Sequence, residues 1–365
     1  MKKVFFLLSI FLFTFNACKD DNGGETSSCG GDFDQKAMFQ NIADNLILPN
    51  YTDLKAKVDD MASKTEVFTS TYDITTLEAL RTSYIAAYTS WQKSAQYNFG
   101  PAEEVSLRSS VNNFPLDTVM TKTNIQTLIY DFDQPDNYDK GFPAIDYLLY
   151  GIGKDDNAII SRYLEEDIAD YERYLQDVVA DIQERVNHTY NAWVNGYDET
   201  FINNTGTAAG TSLSLIINQF NANYELIKRE KLGIPSGVLT LFFANPDRVE
   251  AFYSGQSLEL AKVALEASQN LYIGANSLGL DDYLVNAKAE KNGQPLNDLI
   301  KAQFTAAFNS LNALNSPLSA QIEADVTAAE NAYNEVTKQV VNIKTDLPSV
   351  LCVAITYIDN PSDSD

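Results

Sequence analysis

Few side chains in this sequence could carry recognisable catalytic chemistry. Its 365 residues include one histidine, His188, and three cysteines, Cys18, Cys29 and Cys352. A catalytic zinc needs several imidazole, thiolate or carboxylate ligands in a fixed geometry, and a serine nucleophile needs an imidazole base. One histidine supports neither, and the sequence holds no HExxH pair, Cys-His cluster or glycine-rich phosphate loop. His188 falls off the apolar face of its helix, which predicts a solvated surface histidine. What remains is two irregular stretches. The first runs from Gly100 to Gly153 through Asn112-Asn113-Phe114-Pro115, Gln134-Pro135 and Gly141-Phe142-Pro143. The second runs from Gly233-Ile234-Pro235 through Asn245-Pro246 to Ser257. Long loops on a helical scaffold are where binding groups gather, so these stretches locate a site without naming its chemistry.

The elements that must position them read as helices. Leu164, Ile168, Tyr171, Leu175, Val178, Ile182 and Val186 step by three and four with charged residues between, as a bundle helix requires. Leu318, Ile322, Val326, Tyr333, Val336 and Val340 repeat the pattern, as do Leu213, Ile216, Phe220, Tyr224 and Ile227. The apolar run from Val350 to Ile358 is the single candidate for extended chain. The expectation is an all-α protein. Asn203-Asn204-Thr205-Gly206-Thr207 and Gly210 interrupt the helical pattern near the middle, which predicts one helical bundle over residues 33–200 and a second over 201–365. The 20 tyrosines, 19 phenylalanines and 2 tryptophans can fill two such cores.

The amino terminus is a secretory signal by its zones. Lys2 and Lys3 precede an apolar run from Val4 to Phe15, followed by small residues ending at Ala17. That run is shorter than the roughly 20 apolar residues a membrane-spanning helix needs. Phe15-Asn16-Ala17-Cys18 resembles a lipobox, which predicts cleavage of residues 1–17, lipidation of Cys18 and attachment to the cell envelope. Residues 18–32 lack large apolar side chains before Phe33 and read as a flexible tether. Lys19-Asp20-Asp21 resembles the short acidic signal of outer-membrane lipoproteins displayed at the surface. Removing residues 1–17 takes away two lysines and no acids, so the formal net charge goes from −24 to −26. Nucleic acid and anionic lipid surfaces are therefore poor partners. An oxidising compartment permits Cys29 and Cys352 to pair, but their spacing leaves the pairing open.

Gly141-Phe142-Pro143-Ala144-Ile145-Asp146-Tyr147-Leu148-Leu149-Tyr150-Gly151 resembles the imelysin family, also called M75 peptidase-like. So do Asn113-Phe114-Pro115-Leu116-Asp117, the segment from Arg248 through Tyr253-Ser254-Gly255-Gln256-Ser257-Leu258, and Lys344-Thr345-Asp346-Leu347-Pro348-Ser349-Val350 with its continuation to Asp359-Asn360, all in family order. The resemblance implies a pair of related, four-helix-bundle-like domains with a cleft between them. It also implies a role in iron or haem uptake, with peptidase activity attributed to some members.

The family signature is Gly-x-His-x-x-Glu, proposed to bind metal; here its positions read Gly141, Pro143 and Asp146. A proline ring offers no lone pair, and its fixed φ suits a first helical turn, so a helix start explains Pro143 fully. Asp146 reads either as a first-turn acid favoured by the helix dipole or as a site carboxylate. Asp117 reads as a helix N-cap or, by the resemblance, as a site acid. Arg248 is placed to pair with Asp117 or Asp146 across the cleft. Tyr253, Ser254 and Ser257 carry over by position, each with a packing or capping alternative. No catalytic residue is assigned. Carboxylates without imidazole favour hard cations such as Ca²⁺, Mg²⁺ or Fe³⁺ over Zn²⁺, and a haem would find only His188 as a strong axial donor, although tyrosine can substitute. Three functions stay open: a non-enzymatic binding lipoprotein of iron uptake, whose cleft holds a small ligand or an uptake partner; a metallopeptidase; and a structural surface protein with a vestigial cleft.

Overall fold

The computed structural model describes residues 29, 31–134, 137–164 and 170–357. The signal, Cys18, most of the tether, Pro135, Ile168 and Asp359-Asn360 lie outside them. The described chain is helical, and its strands are the two-residue pair Glu290–Lys291 and Gln294–Pro295. Asn292 and Gly293 join these strands with positive φ at both turn positions, as a tight hairpin requires. The protein is all-α, as the periodicity predicts.

Helix boundaries follow from local chemistry. Gln35–Ile42 passes through a π turn, Ala43–Ile47, into Leu48–Thr71. Pro49, which has no N–H to donate, sits just after that widened turn. Val341–Asp346 is a second π turn, placed in the same way before Pro348. Tyr72, left-handed at φ 51°, ends the long helix, and Asp73 with Thr76 forms a capping box that opens Ile74–Ser94.

Leu48–Thr71 packs on both Ile74–Ser94 and Tyr171–Ala192, and Gly141–Asp146 lies against the last of them. In the second half, Ser212–Leu226, Ser257–Tyr272, Leu296–Asn312 and Val326–Val340 form a matching set. Ile74–Ser94 also packs on Ser257–Tyr272, and one contiguous apolar cluster runs through both sets.

Three expectations need correction. The seam placed from Leu164 begins only at Tyr171: Leu164 is exposed at the end of Asp156–Tyr163, while Leu175, Val178, Ile182 and Val186 are buried. The seam from Leu318 to Val340 is broken at Asp325, whose side chain caps a new helix, Val326–Val340. The run from Val350 does not open as extended chain: Leu347–Leu351 is helical, and residues 353–357 form no regular element. Asn218 instead pins that segment, accepting from Thr356 N at 2.6 Å and donating to the Ala354 carbonyl at 3.0 Å.

Cys29 and Cys352 form a disulfide with Cα atoms 5.5 Å apart across 323 residues of sequence. Phe33 stacks on Tyr283 at 4.3 Å, so the fold begins directly after the bridge.

Candidate functional site

Loops from both halves meet around Phe114. The segment 112–117 supplies one wall; residues 226–234 and 247–253 supply the other. Three adjoining spaces share Phe114. A cavity of about 150 Å³ is lined by Trp91, Arg108, Asn223 and Lys231 among others. A groove of about 520 Å³ lies over Asp117, Tyr138, Glu230 and Arg248. A crevice of about 40 Å³ reaches Pro143, Asp146, Asp247 and Tyr253.

Gly141 begins the helix bearing the degenerate signature. Its φ is +73°, and a Cβ there would stand 2.3 Å from the Val111 carbonyl oxygen, so no other residue fits. Pro143 is the third helical residue, inside the first turn where its missing N–H leaves nothing unpaired. Asp146 closes the helix as its sixth residue, and so gains little from the N-terminal dipole expected to favour it.

Asp146 is buried, and its carboxylate accepts four hydrogen bonds. Tyr84 Oη donates to Oδ1 at 3.0 Å, and the Tyr253 N–H donates to Oδ2 at 2.8 Å. The Ser254 N–H is shared between the two oxygens at 3.2 and 3.4 Å. Burial raises the Asp146 pKa to about 6 against these lowering hydrogen bonds. Gly151 allows the same approach: a Cβ there would fall 2.6 Å from the Tyr253 ring, which packs against Tyr147. Asp146 thus clasps the turn 251–255 of one half to the signature helix of the other.

The remaining predicted residues divide. Pro143, Asp146 and Tyr253 are brought together in the crevice. Asp117 and Arg248 share the groove, but Asp117 is exposed and its Oδ1 caps Thr118–Thr127 by accepting from Val119 N and Met120 N. Arg248 is exposed and, among the described residues, pairs with neither Asp117 nor Asp146, because Asp146 is turned inward to backbone donors. The capping alternative is therefore the observed one for Asp117. Ser254 contributes its backbone N–H, while its hydroxyl turns to the Ala251 carbonyl. Ser257 is buried at the start of Ser257–Tyr272 and does not line these spaces. His188, half-exposed, lies 3.3 Å from Glu104 Oε2, away from the cleft, as predicted.

Sequence reasoning missed a buried polar network at the centre of the cleft. Lys231 Nζ pairs with Glu250 Oε2 and donates to Gln92 Oε1 at 2.9 Å. Glu250 Oε1 accepts from Gln92 Nε2 at 3.0 Å and from Asn112 Nδ2 at 2.8 Å. Asn112 in turn accepts from Tyr88 Oη at 2.5 Å. Burial pulls the Lys231 pKa down, and Glu250 opposes that. Gln92 and Asn112 come from the first half, and Lys231 and Glu250 from the second. The signal was slight: two opposite charges 19 residues apart, each among other charges, Lys228-Arg229-Glu230 beside Lys231 and Asp247-Arg248 beside Glu250.

The metal implied by the family motif does not fit the residues present. Pro143 has no donor atom, the Asp146 lone pairs face four hydrogen bonds, and no three His, Cys, Asp or Glu side chains converge among the described residues. The model of the family described as "Imelysin", a peptidase M75 family, matches residues 47–343. The chain belongs to the imelysin family. Within it, the "Iron-regulated protein A" of Synechococcus elongatus is 21% identical over 294 residues, covering 78% of this chain and 77% of that protein. A crystal structure of a putative iron-regulated protein A precursor from Parabacteroides distasonis superposes with a TM-score of 0.71 at 19% identity, covering 87% of this chain and 95% of that one. An imelysin-like protein from Psychrobacter arcticum gives 0.66 at 16% identity, with 89% and 97% covered. These likenesses show that the imelysin fold is shared.

Proposed function

We propose that this imelysin-family chain is a non-enzymatic binding component of iron or haem uptake, lipid-anchored in the cell envelope and holding a ligand or partner in the cleft between its helical halves. The observation that carries this reading is the state of Asp146. The acid of the family's metal motif is spent on the Tyr253 and Ser254 amides and on Tyr84, so a hydrolytic metal would have to displace a clasp rather than fill an open position. The groove beside it remains roomy and carries charge of both signs at Asp117, Glu230 and Arg248. The iron-regulated name of the Synechococcus relative supports the biological setting.

The test is elemental analysis with a peptidase assay on wild type and on the double variant Pro143→His plus Asp146→Glu. Wild type is expected to hold no stoichiometric zinc and to cleave no peptide, and its transcript to rise under iron limitation. Tight zinc in wild type, or proteolysis lost in Asp146→Ala, would favour the metallopeptidase. A transcript indifferent to iron would favour a structural surface protein.

The anchor is tested separately. Cys18→Ala is expected to release the chain from membranes or leave its precursor uncut. Continued membrane fractionation of a processed variant would overturn lipidation.

A further inference from the structure

The cavity of about 150 Å³ beside Phe114 is lined by residues whose hydrogen-bond donors are not all used within the described residues. Arg108 leans over it; its Nε and Nη2 both donate to the Ala95 carbonyl, at 3.2 and 2.6 Å, and no acid pairs with it among the described residues. Burial lowers its pKa to about 10, so the guanidinium stays charged at neutral pH. Trp91 Nε1–H and Asn223 Nδ2 are buried donors on residues lining the same cavity, and neither has a partner among the described residues. Buried donors are almost always paired, and an unpaired guanidinium is the most costly of them to leave so. The facing acceptors are occupied: Gln92 Oε1 by Lys231, Asn112 Oδ1 by Tyr88, and Ala95 O by Arg108 itself.

We infer that the Trp91–Arg108–Asn223 cavity is a pocket for the carboxylate end of a small organic acid, whose body extends past Phe114 and Tyr138 into the groove. The charge count selects one negative charge. Lys231 is already balanced by Glu250, and the cavity's acid, Glu230, by Arg229 at 3.7 Å, which leaves Arg108 as the uncompensated cation. Glu230 stands at the shared mouth, and there it would repel a dianion such as phosphate more than a monocarboxylate. The guanidinium fork and flat N–H donors also match a planar carboxylate. The volume of about 150 Å³ admits a group of roughly benzene size. This inference rests on the reading of the cleft as a binding site, but it is tested without any metal or peptidase readout.

Two tryptophans give a direct test. In ¹⁵N-labelled full-length mature protein, propionate and benzoate are titrated against propionamide and inorganic phosphate while the two indole N–H signals are followed. Trp91→Phe assigns the peaks, and Trp193, whose buried indole N–H lies outside the cavity, is the internal reference. The Trp91 signal is expected to move with saturation by either carboxylate and the Trp193 signal to stay. Propionamide and phosphate should bind at least ten-fold more weakly. Trp91→Phe, which removes the indole N–H together with one ring of a buried side chain, should weaken benzoate binding by about ten-fold in calorimetry while also lowering the thermal stability of the free protein. Asn223→Leu should weaken binding likewise, and serves if Arg108→Gln fails to fold. Equal binding of propionamide and propionate, benzoate affinity untouched by both Trp91→Phe and Asn223→Leu, or no response to either carboxylate would overturn the pocket. Proteolysis or tight zinc in the wild type would instead overturn the functional reading and leave this pocket standing.

Discussion

Lys231→Met is expected to destabilise the protein by about 3–5 kcal/mol, because removing one partner of a buried ion pair strands the other charge. Glu250 would remain buried with only the Gln92 and Asn112 amides for company. Two amide donors soften a carboxylate's desolvation without replacing a cation. In a chain of this size the loss corresponds to a midpoint drop of roughly 4–7 °C. The revealing comparison is the double variant Lys231→Met plus Glu250→Gln. Glutamine keeps an oxygen to accept from Gln92 and Asn112 while removing the stranded charge, so most of the lost stability should return. The two substitutions should then be coupled by 2 kcal/mol or more, about the size seen for residues sharing one network. Denaturant unfolding of the four proteins gives that coupling. A single variant within about 1 kcal/mol of wild type would mean that the pair behaves like a solvated one. The network also joins the halves: Gln92 and Asn112 stand on one side and Lys231 and Glu250 on the other, so unfolding of Lys231→Met should become less cooperative where the segments 226–234 and 247–253 meet the loop 112–117.

How far the sequence reaches can be judged from the same residues. Helical periodicity requires only local spacing, and it placed Leu175, Val178, Ile182 and Val186 in a core they do occupy. It overran at Leu164 and at Asp325 because a three-four pattern carries no information about where a cap interrupts it. Asp117 had both its readings visible in the sequence, and the cap prevailed since two backbone N–H groups of Thr118–Thr127 lie within reach of Oδ1. Arg248 failed for a different reason. Pairing it with Asp146 needed the direction of a buried carboxylate, and that direction is set by backbone amides 107 and 108 residues away in sequence. Lys231 and Glu250 were illegible for the same cause: each follows other charges, Lys228-Arg229-Glu230 and Asp247-Arg248, and looks like part of a solvated face until the fold supplies its partner. The segments that carry the resemblance, by contrast, do come together in space, with Phe114, Pro143 and Tyr253 lining one crevice.

Asp146 should make stability depend on pH in the direction opposite to most carboxylates. Its folded pKa is raised from 3.8 to about 6, with burial the largest cause. Between those values the folded chain holds a proton that the unfolded chain has released, so stability falls as pH rises through the window. Below the unfolded value both states are protonated and the group contributes no penalty; above about 6 both are ionised and the full desolvation cost is present. The shift corresponds to about 3 kcal/mol across that interval. Other acids titrate over the same range, so the measurement is a difference: the unfolding free energy of wild type minus that of Asp146→Asn, at half-unit steps from pH 4 to 7. The asparagine variant will be less stable throughout, because its amide nitrogen turns a donor toward Tyr84, Tyr253 or Ser254, but it carries no titration. The difference should therefore decline by about 3 kcal/mol as pH rises, and a flat or rising difference would mean that the four hydrogen bonds outweigh burial. Tyr84→Phe sharpens the result. It removes the tyrosine hydroxyl that donates to Oδ1 at 3.0 Å, which favours the ionised form, so its absence should push the folded pKa higher and move the upper edge of the window up. If burial governs Asp146, wild type and Tyr84→Phe will decline by different amounts and over different intervals, because the desolvation cost appears as the carboxyl gives up its proton even though the donors of the clasp favour the ionised form.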